Sequence, residues 1–263
     1  MVGAGSILLI YGLIALLAPV LPLPDPYHQD LLSAFMPPFQ SPMYPLGADE
    51  LGRNEFARVV YGLRPTLFIS LLSAIAATLL GIILGILAVY GPRVVRIAAD
   101  ALVDIALTFP GFVLAIALVS VLGASVLSLT LAVALTSCGM VARLTRGEVL
   151  RVRDLEYVTA ARAVGVPWRR IATRYLLVNI LNALVVQFSL VVSVAMLTIA
   201  ALGFIGLGVQ PPDPELGTMV STGSKYLSSD QTLTIVPGAC LSLLILALNL
   251  LGDGLRDHLD PHG

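Results

Sequence analysis

From Pro65 to Tyr90 the chain carries no charged side chain. A helix needs about 20 mainly apolar residues to cross a bilayer, and this stretch exceeds that. Five further stretches meet the requirement, so the spans are expected at about 3–22, 65–90, 97–122, 125–142, 180–209 and 232–251. Composition agrees: 57% of the 263 residues are hydrophobic, 12% are charged, and the mean hydropathy is +0.94. An average soluble domain is about a quarter charged, so this chain cannot clothe itself in water. The expectation is an all-α polytopic membrane protein of one domain with six transmembrane helices. Its net charge of −1 gives no reason to expect nucleic acid as a partner.

Between the first two spans, the loop 23–64 is rich in proline and cannot form a long helix. Within it, 49–61 suits one short amphipathic helix. Pro65 suits the start of the second span, where its missing N–H costs nothing. Gly81 and Gly85 form a GxxxG, which lets a neighbouring helix approach closely. Pro110 and Pro237 fall inside the third and sixth spans and are expected to kink them. The first span lacks the basic start of a cleaved signal peptide. Basic residues favour the cytoplasmic side. With both termini inside, eleven of the fifteen lie there, eight of them in 143–178; Arg53, Arg58, Arg64 and Lys225 lie outside.

Several chemistries are excluded by residue placement. All three histidines lie outside the spans, so Ser–His catalysis at membrane depth is ruled out. The only lysine, Lys225, is not in a phosphate-binding loop. The chain therefore hydrolyses no ATP itself; no catalytic residue, resident cofactor or metal site is expected. Cys138 and Cys240 sit in apolar runs and read as small hydrophobes. Asp100 and Asp104 share a helix face. Asp104 reads either as a carboxylate favoured by the nearby positive end of its helix or, with Pro110, as a gating or subunit contact.

The segment 156–178 is the most informative. Glu156, Thr159, Ala160 and Ala161 form a small-residue helix, Gly165 breaks it, and Pro167 is placed to start a second helix through Trp168 and Ile171. An ordinary basic loop explains the arginines but not this pattern. In its Thr159-Ala160-Ala161 and Gly165 spacing, the segment resembles the coupling motif of permease subunits in dipeptide/oligopeptide ABC importers. Val178 stands in place of the usual proline, so the second helix is expected to join the fifth span smoothly. Three other stretches resemble the same family. They are Pro45-Leu46-Gly47-Ala48-Asp49-Glu50-Leu51-Gly52-Arg53-Asn54, the loop from Gly206 through Gln210, Pro212 and Glu215 to Gly217, and the tail from Asn249 to Pro261. Departures are Thr159 for Glu, Asn54 for Asp, Leu216 for Trp, and the lack of a basic N-terminal lead.

The resemblance implies the permease fold of type I ABC importers. It also implies a homologous second permease, two cytosolic ATPase subunits carrying ATP and Mg, an extracytoplasmic binding protein, a peptide substrate, and a place among the lipids of a bacterial inner membrane. Glu156, Thr159, Ala160, Ala161, Gly165, Trp168 and Ile171 would contact the ATPase. Asp49, Glu50, Arg53, Gln210, Pro212 and Glu215 would contact the binding protein. Two other readings stay open: the same architecture importing nickel or another small solute, and an ATP-independent secondary transporter.

Overall fold

The computed structural model describes residues 2–259, all of them helix, turn or loop apart from two isolated β-bridges. Asp260 and Pro261, the end of the tail motif, lie outside the described residues. The helices are α1 (Val2–Leu17), α2 (Glu55–Tyr90), α3 (Arg93–Thr108), α4 (Gly111–Leu122), α5 (Val126–Arg153), α6 (Glu156–Ala163), the single turn α7 (Trp168–Arg170), α8 (Leu177–Phe204), α9 (Leu216–Ser224) and α10 (Thr232–Leu259). A π-helical turn, Ile171–Leu176, joins α7 to α8 without a break. The smooth join expected from Val178 is therefore present.

Among the described residues, four helices are long and apolar enough to cross a membrane: α2, α5, α8 with its preceding turn, and α10. The third expected span is two helices, α3 and α4, bent by 98° to one another. Pro110 causes more than a kink. The residue before a proline avoids helical backbone, and Phe109 is extended at φ −72° and ψ 137°. The first expected span is shorter than its apolar run. Its helix stops at Leu17, two residues before Pro19, for the same reason.

The second span begins ten residues before Pro65. Asn54 caps it, its side chain accepting a hydrogen bond from Ala57 N at 2.9 Å, and a good cap sets a helix start. Pro65 therefore lies inside α2, and no separate helix forms over 49–61. Pro237 is likewise accommodated inside α10.

α2, α5, α8 and α10 enclose the larger apolar core. α2 and α5 approach each other closely within it. A Cβ on Gly81 would lie 2.5 Å from Val141 Cβ, and one on Gly85 would lie 2.6 Å from Thr145 Cβ. Without a hydrophobic force between helices in lipid, such contact is what holds them together. Three hydroxyls buried on α2 donate to its own backbone: Thr66 to Gly62 O at 2.8 Å, Ser70 to Thr66 O at 2.6 Å and Ser73 to Ile69 O at 2.7 Å. That arrangement lets polar residues sit where no water is available.

Gly85→Val should push α2 off α5. Overpacking of this kind costs about 1–3 kcal/mol, so the melting temperature of the detergent-purified protein should fall. Gly147→Ala on α5, where an added Cβ meets nothing within 4 Å, should hold or raise it. Equal melting temperatures for Gly85→Val and wild type would refute the close-packed seam.

Candidate functional site

At the end of the bundle where α2 stops and α3 begins, α5 runs out at Arg153 and α6 follows after one turn. Four side chains seat α6. Val158 is fully buried and Ala161 nearly so. The Arg162 guanidinium lies 5.4 Å from the centre of the Tyr90 ring and donates to the Tyr90 hydroxyl. Its Nη2 also reaches the Arg153 carbonyl at 3.4 Å. The Tyr157 and Tyr175 rings stack at 6.3 Å, tying α6 to the turn ahead of α8.

The end of α6 is fixed by its backbone. Gly165 N donates to Arg162 O at 2.9 Å, and Val166 N donates to Ala161 O at 3.0 Å. This pair of bonds closes a helix through a left-handed residue, usually glycine, and Gly165 has φ +79°. A Cβ there would meet nothing within 4 Å. Gly165 is thus required by its backbone angle, not by crowding. Pro167 then stands at the N-cap of α7.

The seven residues expected to contact an ATPase separate into two groups. Glu156, Thr159, Ala160, Gly165 and Trp168 are exposed. Ala161 and Ile171 face inward, Ile171 within the main core. Those two are buried in this chain and present little surface to a partner.

At the opposite end, the loop before α2 folds on a buried ion cluster. Arg53 Nε meets Asp49 Oδ2 at 2.6 Å, Arg53 Nη2 meets Glu50 Oε1 at 3.2 Å, and Arg58 Nε meets Asp49 Oδ2 at 3.4 Å. Asp49 Oδ1 also accepts from Leu51 N and Arg53 N, both at 2.9 Å. Asp49 and Arg53 are therefore internal struts, while Glu50 keeps partial exposure. Gln210 and Pro212 are exposed, and Gln210 Nε2 donates to Gly206 O and Gly208 O.

Glu215 was expected to meet a partner protein, yet it is fully buried. Its Oε1 accepts from Gly217 N at 2.9 Å and Thr66 Oγ1 at 3.1 Å; its Oε2 accepts from Thr218 N and Thr218 Oγ1, each at 2.9 Å. Burial pushes its carboxyl up from the ordinary range, against the hydrogen bonds that hold it down. Glu215 caps α9 and ties it to α2. Sequence reasoning missed Arg58, Glu55 and Thr66 as parts of this end. The first two had the signal of charge beside an apolar run; Thr66 had none.

Asp104 lies on an exposed face of α3 and has no hydrogen bond or ion pair among the described residues. α3 starts at Arg93, so Asp104 is roughly 16 Å along it at 1.5 Å per residue. A helix dipole acts only within the terminal turn, which removes that explanation. Its neighbour Asp100 pairs with Arg146 at 2.7 Å. Pro110 is exposed at the α3–α4 corner.

Residues 77–262 match the family of binding-protein-dependent transport system inner membrane components. The chain belongs to that family. It is 37% identical to the dipeptide transport system permease protein DppC of Haemophilus influenzae, over 97% of this chain and 88% of that protein. The di/tripeptide permease DppC of Pseudomonas aeruginosa is 42% identical over 82% of this chain and 71% of its own length. Among solved structures, the MetNI methionine ABC transporter in an inward-facing conformation aligns with a TM-score of 0.63 at 18% identity, covering 77% of this chain and 96% of that one. That likeness shows the fold: an ABC importer permease of type I.

Glu215→Ala leaves the Gly217 and Thr218 amides without their side-chain acceptor and removes the tie to Thr66. Loss of a cap alone costs about 0.5–2 kcal/mol, so the melting temperature of the purified permease should drop well below wild type. Glu215→Gln, which keeps one acceptor oxygen, should fall between them. A Glu215→Ala protein as stable as wild type would show the carboxylate to be dispensable for the fold.

Proposed function

We propose that this permease imports di- and oligopeptides across a bacterial inner membrane, with both termini in the cytoplasm. It pairs with a homologous second permease. Two cytosolic subunits supply ATP hydrolysis, and an extracytoplasmic binding protein delivers the peptide. The peptide reading is supported by relatives named for dipeptides and di/tripeptides at 37–42% identity.

The observation that carries the mechanism is how α6 is mounted. Its inner face is locked by Val158, Ala161, Arg162 and Tyr157, while Glu156, Thr159 and Ala160 stay exposed. A rigidly seated helix with a free outer face is suited to receive a push from a docked protein. Closure of the ATPases on nucleotide would move α6, and α6 would carry α5 and α8 with it. The two permeases would then open their shared path to alternate sides. Asp104 and Pro110, exposed at the broken third span, would meet the second permease there.

Gly165 gives the test. Gly165→Val cannot take a left-handed angle without strain, whereas Asn adopts it more readily. Gly165→Val should insert normally but lose most uptake of a labelled dipeptide, together with ATP hydrolysis stimulated by the binding protein. Gly165→Asn should retain most of both. Wild-type activity in Gly165→Val would reduce 156–176 to a surface loop and remove the coupling role.

A further inference from the structure

At the end of the bundle opposite α6, a cavity of about 210 Å³ opens between the loop before α2, the start of α2, the 211–213 segment and α9. Four carboxyl groups line it, Asp49, Glu50, Glu55 and Asp213, against two guanidinium groups, Arg53 and Arg58. The guanidinium groups are already engaged with Asp49 and Glu50, and Asp213 Oδ1 accepts from the Tyr27 hydroxyl at 2.9 Å.

Glu55 is different. Its residue is only 2% exposed, and its Oε1 is buried with no hydrogen-bond partner. A buried carboxyl oxygen without a donor costs stability, and the fold supplies no donor even though two arginines are near. The lining therefore carries more acid than base, and one buried carboxyl oxygen stays unpaired. Among the described residues no three metal-ligating side chains converge, so the acidic lining suits an organic cation better than a metal ion. The cavity is built from loops and helix starts outside the middle of the spans, on the face where a docking protein would arrive, and it has room for one long side chain.

We propose that this cavity receives a lysine or arginine side chain of the extracytoplasmic binding protein, whose cationic head pairs with Glu55 while Asp213 attracts it at the rim. This inference rests on the importer reading above. Pairing with a buried carboxylate sets the dissociation of a docked complex, whereas rim charge mainly sets the approach.

The test uses the assembled complex in lipid nanodiscs and measures docking of its peptide-loaded binding protein by interferometry. Glu55→Gln should weaken docking at least tenfold through faster dissociation. Asp213→Asn should mainly slow association at low salt. Millimolar L-arginine amide should compete with docking to the wild-type complex, a measurement that holds even if Glu55→Gln fails to assemble. Docking unchanged by both Glu55→Gln and arginine amide overturns the inference and leaves the importer reading standing. No docking by the wild-type complex defeats the importer reading itself. Unchanged docking combined with selective loss of uptake for peptides with a free amino group would assign the cavity to the substrate's amine, and would equally overturn the proposal.

Discussion

The seam between α2 and α5 is the contact on which the rest of this molecule is hung. Gly81 and Gly85 bring the two backbones close enough for Val141 and Thr145 to fill the space a side chain would need. α2 has 36 residues, about 54 Å at 1.5 Å per residue, far more than the ~30 Å of hydrocarbon it must cross. Its surplus length does work at both ends. At its start, Asn54 and Arg58 anchor the loop cluster; at its end, Tyr90 receives Arg162 from α6. α5, the partner in the seam, ends directly in the turn that leads to α6.

This arrangement connects two distant surfaces through rigid elements. α6 touches the end of α2 through Tyr90 and Arg162, and the turn ahead of α8 through Tyr157 and Tyr175, next to the buried Ile171. The far end of α2 is tied to α9 by Thr66 and Glu215. A continuous run of packed contacts therefore joins the two ends. The third span breaks at Phe109 and Pro110, where α3 and α4 meet at 98°.

Much of this was legible in the sequence because the bilayer imposes a simple rule on length and apolarity. The GxxxG seam, the stop at Gly165 and the start after Pro167 each follow from one residue type with a strong local preference. The failures have a common cause. Pro65 and Pro110 were judged by local preference, yet a strong cap at Asn54 carried α2 past the first, while nothing held α3 and α4 together across the second. Glu215, Asp49 and Arg53 looked like surface charge because charge in a loop usually is. Glu215 is held by Thr66, far away in sequence, a pairing no local pattern announces; Asp49 and Arg53 pair with each other and with near neighbours, and spacing alone does not say that such a local cluster is buried.

The central claim is that the outer face of α6 is the surface an ATPase subunit grips. It is tested most directly by cross-linking in the assembled complex, with Cys138 and Cys240 replaced and a single cysteine carrying a short photoreactive maleimide. Placed at Ala160, on the exposed face, the probe should capture an ATPase subunit in high yield, and the yield should change when nucleotide is added. Placed at Asp213, at the other end, it should capture none. An Ala160 probe that never reaches an ATPase, in a complex that still hydrolyses ATP, would contradict the account.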